Sequence, residues 1–166
     1  MKRFTVLSRI SSSTRLRLSM LALCLIAAAL AAAPAAAAPI GFEAFGGVQT
    51  NGNNDFLLGA GLRLSLASIT VIPNVEYYFV DNGSVYALNA DATMSVLPLG
   101  VASGFVGAGL GMITYDPDFG DSNTNTAVNL LAGVGLNAVP MKPFAQFKYV
   151  FTDGDDPILL EAGIRF

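Results

Sequence analysis

GFVGAGLGMITY, residues 104–115, places a glycine at every second position from Gly107 to Gly111, with an apolar residue at each position between them. Shorter G-x-G stretches begin at Gly59 and Gly133. A dinucleotide-binding loop requires G-x-G-x-x-G between a strand and a helix, and none of the three stretches completes that pattern. A period of two is instead the spacing of one face of a β-strand. The stretch therefore predicts a strand that carries small side chains on one face.

The same alternation continues along the chain from residue 40, and no segment there has a helical period of useful length. It predicts eight strands, at about 40–49, 56–66, 70–80, 85–96, 102–114, 127–138, 143–151 and 158–166. These lengths suit tilted strands that cross a membrane. Long polar connections such as "NGNND" and "DPDFGDSNTNT" alternate with tight turns, expected at Ser68-Ile69, Pro98-Leu99 and Pro140 to Lys142. This pattern indicates an all-β fold, an eight-stranded antiparallel up-and-down transmembrane β-barrel.

The two faces of the predicted strands differ in chemistry. One face is apolar, and the other holds ten glycines and every strand charge, namely Glu43, Arg63, Glu76, Asp91, Lys148, Glu161 and Arg165. Seven charges over eight strands are too few to solvate an exterior. The interior of an eight-stranded barrel has room only for side chains that fill it, which suits glycine. We therefore expect the charged face to line the lumen and the apolar face to contact lipid, with a soluble lipocalin-like barrel as the alternative.

The N-terminal segment has the features of a secretory signal peptide. Five basic residues precede an apolar run from Leu18 to Ala33, and Ala35-x-Ala37 provides small residues for cleavage. We expect residues 1–37 to be removed, leaving 38–166 as the barrel, with a retained membrane anchor as the alternative. The remaining chain has four basic residues against twelve acidic ones, a net charge of −8. It lacks the basic clusters that bind nucleic acid.

The C-terminal stretch ILLEAGIRF, residues 158–166, alternates apolar residues outward and ends on Phe166. Here the sequence resembles the outer-membrane β-barrel family of opacity proteins and OmpA-type barrels. The resemblance implies an outer-membrane location in a Gram-negative cell, with outer-membrane lipid around a monomeric barrel. It also implies that Phe166 is the signal recognised by the barrel-assembly machinery. Both chain ends would then lie in the periplasm and the four long loops outside the cell.

The expected outer end of the barrel is acidic and rimmed by aromatic residues. Eight aspartates and no basic residue fall in the long loops: Asp55, Asp81, Asp116, Asp118, Asp121, Asp153, Asp155 and Asp156. Such loops are expected to attract divalent cations weakly, although their spacing matches no EF-hand. Two aromatic girdles are typical of these barrels. We expect one at the loop end, formed by Phe56, Tyr77, Phe79, Tyr86, Tyr149 and Phe151, and one at the other rim, formed by Phe42 and Phe166.

The positions of the turns predict which lumen charges meet. Opposed residues in an antiparallel pair have a constant index sum and share a face. The expected turn centres set Glu43 opposite Arg63, Arg63 opposite Glu76, and Lys148 opposite Glu161, with Asp91 and Arg165 nearby. We therefore expect Arg63→Ala to destabilise the barrel more than Glu43→Ala, since Arg63 would lie between two carboxylates.

The sequence offers little to catalysis. It contains no histidine, which excludes a Ser–His–Asp triad and a histidine-based metal site. We expect no enzyme activity, no cofactor and no specific metal site. The interpretation that fits best is a structural or surface-contact protein whose lumen is plugged. The alternatives are a narrow channel for ions or small hydrophobic solutes and a soluble periplasmic ligand-binding barrel.

Overall fold

Eight antiparallel strands form the part of the chain that the structure describes. The computed structural model describes residues 40–166 apart from residues 52–53, 82, 119–120 and 155, so the predicted signal peptide lies outside the described residues. The strands are β1 (Ile40–Gln49), β2 (Phe56–Leu66), β3 (Ile69–Phe79), β4 (Ser84–Leu99), β5 (Ala102–Asp116), β6 (Asn123–Leu136), β7 (Lys142–Phe151) and β8 (Ile158–Arg165). Most ends lie within two residues of the predicted ones, although β4 ends three residues later and β6 begins four residues earlier.

The strands close into a barrel in chain order. Each strand pairs antiparallel with its sequence neighbour, and β1 pairs with β8 from Glu43 opposite Arg165 to Gln49 opposite Leu159. Backbone hydrogen bonds between Phe42 and Phe166 extend this seam, and the Phe166 N–H donates to the Phe42 carbonyl at 2.9 Å. Closure leaves no strand edge unpaired, so the backbone polar groups are satisfied without water. Among the described residues, no helix is long and apolar enough to cross a bilayer.

Two tight turns lie beside their predicted positions. β2 and β3 pair as far as Leu66 opposite Ile69, so the turn is Ala67-Ser68 rather than Ser68-Ile69. Ala67 has a φ of 53°, the positive value that the common two-residue hairpin turns require at their first central residue. The turn after β4 is Gly100-Val101 rather than Pro98-Leu99, and Gly100 has a φ of 71°.

Two prolines lie inside strands where the sheet tolerates them. Pro98 lies opposite Ser103, just past a register shift between Ser95 and Leu97. Pro73 lies opposite Ala90 of β4, whereas the ladder from β3 to β2 is interrupted at its level. Proline has no N–H to donate, so it occurs in strands at bulges and at breaks in the ladder. The prediction that Pro98 marks a turn was therefore wrong.

Side chains alternate between the outer and inner faces of the barrel wall, and the apolar face points outward as predicted. Apolar residues of one parity are exposed on the outside, among them Leu58, Val75, Leu110, Leu130 and Val134. The loop-end aromatics Phe56, Tyr77, Phe79, Tyr86 and Phe151 are also exposed, as are Phe42 and Phe166 at the other end, whereas Tyr149 is half-buried. Residues of the opposite parity are buried inside, including Phe45, Phe105 and Phe144.

Candidate functional site in the barrel lumen

A buried lysine lies at the centre of the lumen. The Lys148 side chain is 1% exposed, and its Nζ lies 3.5 Å from Asp91 Oδ2 and 3.7 Å from Glu161 Oε1. It also forms an ion pair with Glu76 Oε1, to which it donates a hydrogen bond. These four residues come from β7, β4, β8 and β3, so the contacts join strands on opposite sides of the barrel. One ammonium group thus faces three carboxylates, and we call these four residues the Lys148 cluster.

Neutral donors give each of the three carboxylates at least one further hydrogen bond. Asn74 and Asn129 each donate to an oxygen of Asp91 at 2.9 Å. The Tyr78 hydroxyl donates to Glu76 Oε2 at 2.8 Å, and Gln146 donates to Glu161 Oε2. Such charge-assisted hydrogen bonds offset part of the cost of burying excess negative charge. Among the buried side chains described, Asn129 Oδ1 and Glu161 Oε1 have no hydrogen-bond donor.

A second charged group lies nearer the end of the barrel that carries the tight turns. Glu43 Oε2 accepts hydrogen bonds from Arg63 Nη1 at 2.8 Å and from Arg165 Nε at 3.3 Å. The Arg165 guanidinium also lies over two rings, 4.5 Å from the centroid of Phe105 and 4.0 Å from that of Phe144. Here two cations share one carboxylate, so this group, the Glu43 cluster, has the opposite charge balance from the Lys148 cluster.

The predicted opposed pairs were wrong in register. Glu43 lies opposite Gly61 and Arg165 rather than Arg63. Glu76 lies opposite Gly59 and Ala87, and Lys148 opposite Leu131 and Leu159. The turn centres were misplaced by one or two residues, and each such error moves the opposed residue by twice that amount.

Long side chains nevertheless reach diagonally across the ladder. They bring Arg63 to Glu43 and Lys148 to Glu161 despite the shifted register. The Arg63–Glu76 pair has no counterpart among the described ion pairs, because Glu76 instead contacts Lys148. All seven predicted lumen charges lie inside the barrel, divided between the two clusters rather than in a single row.

The lumen glycines lie beside the lumen aromatics. Phe45 is opposite Gly59 on one side and Gly163 on the other, and Phe105 is opposite Gly133. A Cβ atom at Gly59 would overlap the ring of Phe45, and one at Gly133 would lie 2.5 Å from the Phe105 ring. The glycines therefore make room for rings that fill the interior, which is the role that the period-two pattern predicted.

An apolar group closes the loop end of the lumen, and sequence reasoning missed it. Leu57, Tyr78, Val150 and Leu159 are almost fully buried and belong to one cluster, with Val85 and Ile113 packed against it. Most other inward-facing positions of the strands are polar or glycine, so these few apolar positions were not recognised as a plug. Each of them is an even number of residues from a lumen residue on the same strand, and this spacing could have identified them as inward-facing.

No metal site is evident in the described part of the chain, where no group of three or more acidic, cysteine or histidine side chains is arranged to hold an ion. The weak attraction of divalent cations to the acidic loops stays a prediction, and Asp155 lies outside the described residues. Phe166 is exposed on the outer face beside Phe42, and its recognition by the assembly machinery also stays a prediction.

Solved structures of small outer-membrane barrels share this architecture. The N-terminal β-barrel domain of Pseudomonas aeruginosa OprF matches with a TM-score of 0.63 and 19% identity, over 76% of this chain and 96% of that one. Neisserial surface protein A (NspA) matches with a TM-score of 0.61 and 15% identity, over 76% of this chain and 94% of that one. No family model matches the sequence, and no curated protein sequence matches it. The closed eight-stranded antiparallel barrel of this chain therefore has the fold of the small outer-membrane barrels.

Proposed function

We propose that this protein resides in the outer membrane as a closed barrel with a structural or surface-contact role. The observation that carries the proposal is the filled lumen: the Lys148 cluster joins opposite walls at mid-height, and its members are at most 3% exposed. The apolar group around Leu57 and Leu159 lies between this cluster and the loops. Two layers of side chains thus stand in the path of a solute, which argues against the alternative of a channel.

The chemistry of the lumen also argues against catalysis. The chain has no histidine to exchange protons near neutral pH. The three carboxylates of the Lys148 cluster are paired with an ammonium group and with neutral donors, and they are shielded from solvent. A general acid or base must reach a substrate within hydrogen-bonding distance, and buried groups so enclosed do not. The lumen charges are therefore assigned to holding the walls of the barrel together.

The exterior supports placement in a lipid bilayer rather than in the periplasm. Apolar side chains cover the outward face, with exposed aromatics near both ends. A soluble barrel would instead turn a solvated face outward. The acidic loops at one end offer a hydrophilic surface for contacts outside the cell, and the tight turns at the other end would lie in the periplasm.

Single-channel recording tests the closed lumen. Purified protein reconstituted into planar bilayers should show no steady conductance steps, because no continuous aqueous path crosses the two buried layers. Regular, long-lived conductance steps that scale with the amount of protein inserted would favour the channel instead.

The orientation is tested with a matched pair of cysteine variants. Ser122 is exposed in the long loop before β6, and Ser68 is exposed in the tight turn between β2 and β3. In a Cys24→Ser background the rest of the chain has no thiol. A membrane-impermeant maleimide should label Ser122→Cys in intact cells but Ser68→Cys only after the outer membrane is permeabilised. The reverse pattern would contradict the proposed orientation.

A further inference from the structure

A polar pocket opens at the turn end of the lumen. It has a volume of about 480 Å³ and lies on the inner side of the wall. Hydroxyl side chains form much of its lining, namely Ser65, Ser68, Thr70, Thr93, Ser95 and Ser103. Arg63, Arg165, Lys142 and Asn137 complete its polar surface, and Phe105 closes part of its inner side. The Lys148 cluster and the apolar plug lie beyond it, so the pocket is accessible from the turn end only.

The pocket concentrates positive charge in an otherwise acidic chain. Only four basic residues follow residue 37, and three of them line this one cavity. Among the described ion pairs, Glu43 is the acidic partner of Arg63 and Arg165, so the pocket has three positive charges against one negative. A carboxylate at Phe166, whose oxygen accepts a hydrogen bond from the Phe42 N–H at 3.3 Å, would still leave the pocket positive.

The described hydrogen bonds use few of the N–H donors of the two guanidinium groups, which leaves the others able to bind a ligand. Each guanidinium has five N–H donors. Glu43 Oε2 takes one from Arg63 and one from Arg165 in the contacts described. The stacking of Arg165 on Phe105 and Phe144 fixes the plane of its guanidinium without using its remaining N–H groups. A held, planar fork of donors is the geometry that binds an oxyanion through two parallel hydrogen bonds.

We propose that this pocket binds a small oxyanion of the phosphate class. Two partly exposed guanidinium groups, a lysine at the rim and a ring of hydroxyls supply both charge and directed donors, whereas a halide would use the charge alone. The volume holds a phosphate group together with a small attached moiety. The phosphate can belong to a soluble molecule or to a lipid headgroup at the membrane surface beside the rim.

Calorimetry on the refolded full-length barrel in an uncharged, phosphate-free detergent at low salt tests the proposal, with inorganic phosphate as the probe. Lys142 is exposed at the rim, so Lys142→Gln removes a ligand charge with little risk to folding. Asn123→Asp is the matched control, since it makes the same change in net charge at the exposed start of β6 near the loops. We expect saturable binding in the millimolar range or tighter, weakened about fivefold or more by Lys142→Gln and much less by Asn123→Asp.

Two further arms identify the chemistry and its source. Arg63→Lys keeps the charge but loses the fork, so it should weaken phosphate binding while leaving weak competition by chloride unchanged. Short-chain phosphatidylglycerol is added to the micelles as a competitor of inorganic phosphate. Competition would show that a lipid headgroup can enter the pocket, whereas its absence would assign the pocket to a soluble phosphate compound. The proposal is overturned if neither inorganic phosphate nor the lipid gives saturable binding. It is also overturned if Asn123→Asp weakens binding as much as Lys142→Gln, because the effect would then be one of net charge.

Discussion

At the scale of single residues, Lys148 holds the most consequential position in the barrel. In the described ion pairs it is the one cation in contact with Glu76, Asp91 and Glu161, and its side chain is 1% exposed. Burying an ion pair costs desolvation energy that the pair itself only partly offsets. Removing one partner costs more, because the remaining charges stay buried without compensation. The stability of the barrel should therefore depend on this one ammonium group.

Lys148→Ala should lower the free energy of unfolding by about 3–5 kcal/mol, since it leaves three carboxylates without their cation. Lys142→Ala is the control, because Lys142 is exposed and its loss should change stability by about 0.5 kcal/mol or less. Urea titrations of barrels refolded into lipid vesicles in chloride buffer measure both values. Equal effects of the two changes would show that the Lys148 cluster does not support the fold.

The Glu43 cluster reverses an order of stability that the sequence predicted. Glu43, rather than Arg63, is the shared partner, because it accepts hydrogen bonds from both Arg63 and Arg165. Glu43→Ala should therefore lower the free energy of unfolding by about 1 kcal/mol more than Arg63→Ala does. The first change leaves two cations without their carboxylate, whereas the second leaves Glu43 paired with Arg165. The same urea titration measures the difference. A larger loss for Arg63→Ala would indicate that Arg63 has a further partner that supports the fold.

At the scale of elements, each strand combines a large side chain with a glycine on the neighbouring strand. Phe45 of β1 lies between Gly59 of β2 and Gly163 of β8, and Phe144 of β7 lies between Gly135 and Gly163. In a narrow barrel a ring can fill the lumen only where the facing position has no side chain. The alternation of glycine with apolar residues in the sequence thus reflects cross-strand packing.

Gly59→Ala should destabilise the barrel by about 1–3 kcal/mol, because the added methyl group overlaps the ring of Phe45. The double variant Gly59→Ala/Phe45→Leu should recover part of that loss. Gly46→Ala is the control on β1, since its Cβ would point outward and meet the flexible end of Leu58 at 3.2 Å. Chemical unfolding of the wild type, Gly59→Ala, Phe45→Leu and the double variant gives the coupling energy. Independent, additive effects at Gly59 and Phe45 would contradict this packing.

The sequence predicted the strands and their faces but not their register. Parity survives errors in strand ends, because a side chain keeps its face whichever residue begins the strand. Register depends on the turn centre. Because the turn lies at Ala67-Ser68, the residue opposite Glu76 is Gly59 rather than the predicted Arg63. The partners of Lys148 across the lumen could not be predicted from neighbouring strands, because closure of the barrel brings β7 to β3.

At the scale of the whole molecule, charge is divided between the two ends of an apolar wall. Aspartates occupy the loop end, whereas Arg63, Arg165 and Lys142 line the pocket at the turn end. Exposed apolar side chains form the wall between them. This division suits a protein that stands in one fixed orientation across a bilayer, with its lumen closed by side chains and its two ends in different aqueous compartments.

The central claim is that this chain is a closed barrel in the outer membrane, and one measurement tests it directly. Fractionated cells that express the full-length protein are analysed by gel electrophoresis in detergent, with each sample divided into unheated and boiled halves. The protein should appear in the outer-membrane fraction, and its unheated band should differ in mobility from the boiled one, because a closed barrel resists detergent until it is heated. Recovery in the soluble periplasmic fraction with the same mobility before and after boiling would contradict the account.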